Sequence, residues 1–257
     1  MVFAHPDDDT FTSGATIALH TEDADVLSIL ATSGEGGNIA PGSNATRVTL
    51  GVEREREGRA AYEALGNPRA RLEFLRHPDG GIADVDRESL VRQVTALLEE
   101  FAPEVVITFG PDGITKHKDH VTMGDVGTEA FHRARLWSKA PGVFRRLLYV
   151  AIPWSRIREY QRMQVAAGQQ PMDPKAPFTP RGVDDDTIAV RVDAGPVIER
   201  VVRALRSHRT QSAEIDGFTE EQLMYAFGTE HFVRAWPARD GEGRILADVF
   251  EGLDPAS

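Results

Sequence analysis

Two clusters of imidazole and carboxylate side chains are the parts of this chain best suited to chemistry. The first is His5-Pro6-Asp7-Asp8-Asp9, and the second is His117-Lys118-Asp119-His120. Two imidazoles and one carboxylate that meet in space would give a divalent ion three protein ligands and leave a fourth position open. The remaining carboxylate and imidazole would serve proton transfer and charge stabilisation. The pattern therefore predicts a metal-dependent hydrolase.

The positions of the residues within the two clusters predict which of them bind metal and which accepts a proton. His5 and Asp8 come from one loop and His120 from the other, and these three are the predicted metal ligands. Zinc held by nitrogen and oxygen ligands lowers the pKa of a bound water to ~7. Asp7 lies beside the predicted ligands, so we expect it to accept the proton of that water as general base.

The second cluster supplies two further candidates. His117 lies three residues before a predicted ligand and would, as imidazolium, stabilise the oxyanion of a tetrahedral intermediate. Asp119 is expected to hydrogen-bond a neighbouring imidazole and fix its tautomer or charge. A run of aspartates alone is a weak signal, since carboxylate runs usually face solvent. The triplet Asp184-Asp185-Asp186 has no histidine and no preceding apolar strand, and we expect it to be a solvated loop.

Strands and helices that alternate along the chain must position these clusters. Short apolar runs predict strands over 1–4, 26–31, 71–75, 104–109 and 147–152, and helical periodicity predicts helices over 14–20, 45–65, 88–101, 156–167 and 196–208. The alternation predicts an α/β fold, a Rossmann-like three-layer sandwich whose mostly parallel sheet has helices on both faces. Ligands bind beyond the carboxyl ends of such strands, where both clusters occur.

Composition limits the class of protein. The 257 residues fit one domain spanning 1–257, in which the less regular segment 137–186 is either a surface excursion or a flap beside the site that selects substrate. A net charge of −11 disfavours nucleic acids and acidic membranes as partners. Without cysteine, a metal must be held by His, Asp or Glu. No signal peptide or membrane-spanning segment is visible, which predicts a cytoplasmic enzyme. The sequence leaves the oligomeric state open, and a homo-oligomer is one possibility.

Both clusters resemble signatures of one family. Ala4 and the first cluster are similar to the AHPDD(E) motif of the PIG-L/LmbE-like zinc-dependent N-deacetylases, and Gly110-Pro111-Asp112-Gly113 with the second cluster resembles that family's second motif. The likeness covers nearly the whole chain. Further matches are Arg54, Glu57, Ala61, Leu65 and Gly66 in a helix motif, the turn Asp79-Gly80, the late segment 207–211, and Glu230-His231-Phe232.

The resemblance implies a Rossmann-like fold and removal of an acetyl group from a small-molecule N-acetylglucosaminyl conjugate or related amide. It implies zinc at His5, Asp8 and His120, with ferrous iron as an alternative ion in cells, and the roles given above for Asp7 and His117. It also implies substrate contacts at four positions: Arg54 and Asp79 against the sugar, and Phe11 and Thr12 at the pocket floor.

Three residues depart from the family pattern: Asp9 replaces Glu, Lys118 replaces Pro, and Thr115 stands where some members carry a Tyr. Two alternatives therefore stay open. One is an amidase that cleaves a non-acetyl amide of a sugar–thiol conjugate, and the other is a sugar- or metal-binding homologue without turnover. A nucleotide-binding domain is disfavoured because no G-x-G-x-x-G follows the first strand.

Overall fold

In the computed structural model, which describes residues 1–238 and 243–253, one seven-stranded sheet organises the chain. The strands are β1 (Val2–Phe3), β2 (Leu27–Leu30), β3 (Arg71–Phe74), β4 (Val105–Phe109), β5 (Arg146–Val150), β6 (Ile188–Asp193) and β7 (Thr229–Trp236). The α-helices are α1 (Asp8–Leu19), α2 (Leu50–Leu65), α3 (Arg87–Phe101), the single turn α4 (Gly113–Lys116), α5 (Lys118–Trp137), α6 (Trp154–Ala166), α7 (Ile198–Leu205) and α8 (Glu220–Phe227).

The order of the strands brings the two clusters together. The sheet runs β3-β2-β1-β4-β5-β7-β6, and every pair from β3 to β5 is parallel. The order reverses between β1 and β4, which makes that crevice the switch point where ligands of open α/β sheets bind. The first cluster follows β1 and the second follows β4. The predicted α/β fold with a mostly parallel sheet is confirmed.

The far edge of the sheet differs from the sequence prediction. β7 is antiparallel to both β5 and β6, and neither β6 nor β7 was predicted as a strand. β6 begins one residue after the acidic triplet 184–186, at the end of a short 3-10 helix (Asp185–Thr187). Most residues of β6 are buried, but the acidic triplet before it made this apolar run hard to recognise in the sequence.

The helices form two groups. α1, α2 and α7 pack together, and α3 packs against α5. α2 ends at Gly66 as predicted, because this residue adopts φ 85 in the left-handed region that a glycine cap accepts at little cost. α5, which carries His120, was not predicted. No helix among residues 1–238 and 243–253 is both long and apolar enough to cross a membrane.

Helix α1 starts six residues earlier than the predicted Gly14, so Asp7 of the first cluster is its N-cap and Asp8 and Asp9 lie in its first turn. The helix is interrupted at Ser13, whose φ/ψ values are not helical. Glu230 on β7 occupies the break. Its carboxylate accepts hydrogen bonds from the backbone N–H groups of Ala15 (2.5 Å) and Thr16 (3.0 Å) and from the Thr16 hydroxyl. A buried acid thus caps the second part of the helix.

Candidate metal centre

The first turn of α1 folds Asp8 back onto the end of β1. Its Oδ2 accepts hydrogen bonds from the backbone N–H of Ala4 (3.1 Å) and of His5 (2.7 Å). Its Oδ1 faces the second cluster, 3.3 Å from Nε2 of His120. The carboxylate is therefore fixed by the main chain while one oxygen remains directed at an imidazole of the other loop.

His120 is held in a single tautomer at the start of α5. Its Nδ1 donates to the carbonyl oxygen of Gly113 at 3.0 Å, so Nε2 carries the lone pair. The ring stacks on Phe109, with centroids 4.2 Å apart and planes 6° apart. Packing and hydrogen bonding together orient Nε2 as a metal ligand requires.

His5 completes a triangle of donor atoms. Its Nδ1 lies 3.2 Å from Nε2 of His120 and 3.4 Å from Oδ2 of Asp8. Ligands of a tetrahedral zinc ion, each about 2.0–2.1 Å from the metal, lie about 3.3 Å from one another. The separations of 3.2–3.4 Å found here join the two imidazole nitrogens to each other and each nitrogen to a different oxygen of Asp8, Oδ1 for His120 and Oδ2 for His5. Distances of this size fit one ion held by both imidazoles and the Asp8 carboxylate.

The other ring nitrogen of His5 faces two carboxylates. Nε2 lies 3.0 Å from Oδ1 of Asp79 and 3.6 Å from Oδ2 of Asp119. Asp119 is fully buried and also accepts from the backbone N–H of Gly80 (2.7 Å) and Ile82 (3.2 Å). A proton on Nε2 of His5 leaves Nδ1 free to bind a metal, which is the carboxylate–histidine–metal relation found in zinc enzymes.

Two other groupings within 4.8 Å also contain His5, one with His117 and His120 and one with Asp79 and Asp119. Asp79 and Asp119 contact Nε2 of His5, which points away from the triangle. His117 has its Nδ1 engaged, because that atom accepts the backbone N–H of Asp119 at 3.2 Å. Geometry therefore favours the set predicted from the sequence, although it remains a prediction.

Charge at the site favours a cation. Burial lowers the pKa of His5, but Asp8, Asp119 and Asp79 outweigh this and raise it well above its usual value. Burial would raise the pKa of all three carboxyl groups, but the neighbouring imidazoles and hydrogen bonds hold each below its ordinary value. Three ionised carboxylates around one imidazole make a strongly negative pocket, as a divalent ion requires.

Asp7 lies beside the triangle and is paired with Arg54. Nη2 of Arg54 donates to Oδ2 of Asp7 at 2.8 Å, and Nη1 donates to the carbonyl oxygen of Gly34 at 3.0 Å. Arg54 is only 4% exposed. Gly34 wraps closely around it: with φ +70, a Cβ here would lie 2.4 Å from the guanidinium. Arg54 thus positions Asp7 and has little free surface for a sugar.

His117 is a neutral hydrogen-bond donor in this arrangement. Because its Nδ1 accepts a backbone N–H, the proton of the neutral ring is on Nε2. Burial, then the charges of His5 and His120, lower its pKa. The imidazolium form expected from the sequence is therefore disfavoured, and a neutral Nε2–H is the group that could meet an oxyanion.

The other predicted substrate residues are placed differently from one another. Both oxygens of Asp79 are engaged, Oδ1 near His5 and Oδ2 with the backbone N–H of Gly36 at 2.9 Å. The Thr12 hydroxyl donates to the carbonyl oxygen of Asp8 at 2.6 Å. Phe11 is half-buried against Phe227, with ring centroids 5.6 Å apart. Their contact with substrate remains a prediction.

Two aromatic side chains near the site had no role predicted from the sequence. His208 is 2% exposed, its Nε2 has no hydrogen-bond partner among the described residues, and burial lowers its pKa to about 4. It belongs to the late motif 207–211, which could have identified it. Phe178 lies against His117, with ring centroids 4.9 Å apart. Its Pro-rich surroundings carry no such signal.

Comparison with known proteins identifies the family of the chain. Residues 1–131 match the family model described as PIG-L, GlcNAc-PI de-N-acetylase. A Catenulispora acidiphila protein named 1D-myo-inositol 2-acetamido-2-deoxy-alpha-D-glucopyranoside deacetylase 3 is 31% identical, over 98% of this chain and 85% of its own length. A Saccharomonospora viridis deacetylase named for the same substrate is 32% identical, over 98% of this chain and 99% of its own length.

Solved structures share the fold at low identity. The N,N'-diacetylchitobiose deacetylase of Pyrococcus horikoshii has a TM-score of 0.57 at 18% identity, over 90% of this chain and 80% of that one. The Pseudomonas putida hydratase GalB has a TM-score of 0.60 at 18% identity, over 94% and 97%. These two establish architecture only. Family match, identity to the deacetylases and the paired His/Asp clusters together show that the chain belongs to the PIG-L family of de-N-acetylases.

Proposed function

We propose that the chain is a zinc-dependent hydrolase that removes the acetyl group from the amide nitrogen of an N-acetylglucosamine-type conjugate. The triangle formed by His5, Asp8 and His120 carries this proposal, because a nitrogen of each imidazole and the Asp8 carboxylate lie within 3.2–3.4 Å of one another. The names of the relatives support the substrate class, since the two reported above act on an acetamido sugar linked to inositol.

A divalent ion at this site would act as a Lewis acid and lower the pKa of water bound to it. Asp7 accepts the proton of the water that attacks the amide carbon, and Arg54 keeps its carboxylate in place. The Nε2–H of His117 donates to the carbonyl oxygen as negative charge develops there. When the C–N bond breaks, the proton held by Asp7 passes to the leaving amine.

Asp119 and Asp79 act through His5. Their carboxylates hold the proton of the imidazole on Nε2 and fix the orientation of the ring. For Asp119, predicted among the catalytic residues, this is a positioning role, because the side chain is fully buried behind His5.

The test measures acetate release and metal content together. We expect Asp7→Ala and His117→Ala to retain one zinc ion per chain and to lose acetate release from GlcNAc conjugates, whereas His120→Ala loses the ion as well. Normal turnover by the first two variants would contradict the assigned roles. Release of larger acids in preference to acetate would favour the amidase alternative. Ligand binding without turnover would favour the non-catalytic one.

A further inference from the structure

Phe178 is an aromatic side chain that the fold exposes beside the reaction site. It is 62% exposed, although large apolar side chains gain most from burial. Its ring lies 4.9 Å from that of His117, with the planes 31° apart. Its backbone adopts φ 60, a left-handed conformation that is costly for a residue other than glycine. Neither feature contributes to a hydrophobic core, so a role in binding is the better explanation.

The segment 168–183, between α6 and β6, fixes this ring in place. The backbone N–H of Arg181 donates to the carbonyl oxygen of Ile114 at 2.5 Å, three residues before His117. The backbone N–H of Val183 donates to Ile152 at 2.9 Å. Hydrogen bonds thus join the segment both to the loop of the second cluster and to the end of β5. Phe178 is held beside the site by its own main chain.

The order of the rings shows which part of a substrate would reach Phe178. His117 lies between the metal-site imidazoles and Phe178, with centroid distances of 5.0 Å to His5, 4.9 Å to His120 and 4.9 Å to Phe178. An acetamide whose carbonyl oxygen meets His117 has its nitrogen substituent further out. That substituent is the group placed to lie on the exposed face of the Phe178 ring.

We propose that Phe178 determines specificity by stacking against the C–H face of the sugar ring that carries the scissile acetamide. This inference rests on the proposed function. The face of an aromatic ring is electron-rich, and the C–H bonds on one face of a pyranose present a weakly positive, apolar surface to it. The sugar hydroxyl groups would remain at the edge of the ring, in contact with water.

The experiment compares two substrates of the zinc-loaded enzyme: a methyl N-acetylglucosaminide, which has the ring, and N-acetylethanolamine, which keeps the acetamide but has none. We expect Phe178→Ala to lower kcat/KM about tenfold for the glycoside, which corresponds to about 1.4 kcal/mol. For the acyclic amide we expect less than a threefold change. Phe178→Trp should retain activity on the glycoside, because it restores an aromatic face.

Trp137→Ala is the matched control. Trp137 is 78% exposed and ends α5, which places it about 25 Å from His120 along the helix. Trp137→Ala should leave kcat/KM unchanged for both substrates. An equal loss on both substrates in Phe178→Ala would mean that Phe178 acts only through His117, and it would overturn the proposal. No loss on either substrate would also overturn it.

Binding provides a readout that does not require turnover. Calorimetric titration of the wild type with the methyl glycoside should give an affinity about tenfold higher than that of Phe178→Ala, and saturation-transfer NMR should show protein contact at the sugar C–H protons. Equal affinities would refute the stacking. If the wild type releases no acetate from either substrate, the proposed function fails, and the titration still decides whether Phe178 binds the sugar.

Discussion

The buried pair between Arg54 and Asp7 offers a sharp test of how the site is built. Their side chains are 5% and 9% exposed, and the N–O distance is 2.8 Å. Arg54→Ala leaves a buried carboxylate without its counter-charge, which costs roughly 3–5 kcal/mol of folding free energy. For a chain of this length, each kcal/mol corresponds to about 2–4 °C in Tm. We therefore expect Tm to fall by roughly 10 °C.

A double variant separates the charge from the packing. Asp7→Asn combined with Arg54→Ala removes both charges, and we expect it to recover at least half of the lost stability, because the orphaned carboxylate is the costly group. Arg56→Ala is the control on the same helix. Arg56 is bonded to Glu53 on an exposed face, and its loss should cost under about 0.5 kcal/mol.

The assay is thermal unfolding of all four proteins, followed by steady-state kinetics of acetate release. A positioning role for Arg54 predicts that Arg54→Ala loses kcat as well as stability, because Asp7 is no longer held beside the attacking water. If Arg54→Ala has the same Tm as the wild type and raises only KM, Arg54 binds substrate as the family resemblance implies. That result would refute the structural interpretation.

Two further predictions concern other carboxylates. Asp79→Asn should weaken zinc affinity about 10–100-fold in a chelator competition titration, because Nε2 of His5 loses its closest carboxylate. Asp184→Asn, on the exposed acidic loop, is the control and should leave zinc affinity unchanged. Equal zinc affinities of Asp79→Asn and the wild type would contradict this arrangement. Burial raises the pKa of Glu230 from 4.5 to about 7, so its contribution to stability is fully present below pH 4.5 and is lost as pH rises through about 7. Denaturant titrations should show the wild type losing up to about 3 kcal/mol relative to Glu230→Gln over this range, and parallel pH profiles would disprove the linkage.

The two His/Asp clusters could be recognised from the sequence because their signal is local. The first cluster begins two residues after β1, the second comes after β4 and the single turn α4, and parallel strands place their carboxyl ends at one edge of the sheet. The two elements missed at the far edge of the sheet lacked that regularity, since β6 begins one residue after the acidic triplet and β7 pairs antiparallel at both sides. Their partners are set by tertiary packing, which periodicity does not report.

Contacts between distant segments could not be predicted. Arg54 lies on a helix rich in charged residues, where a solvated position is the ordinary expectation, and only the wrapping of the Gly34 loop buries it. Asp79 meets His5 across 74 positions of sequence because β3 and β1 end at the same edge. In both cases the residue was recognised and its contact with another side chain was not, since such a contact depends on three-dimensional neighbours.

The division of the chain suggests where substrate selection resides. Every residue predicted to bind metal, accept the proton or support the oxyanion precedes residue 131, the end of the family match. Phe178 and His208 come from beyond it, and their rings lie near those of His117 and Phe11 respectively. The predicted sugar contacts at Arg54 and Asp79 also precede residue 131, whereas the proposed contact of Phe178 adds a surface for the group that the amide nitrogen carries. We therefore expect exchanges within segment 168–183 to change which conjugate is cleaved while the chemistry at His5, Asp8 and His120 persists.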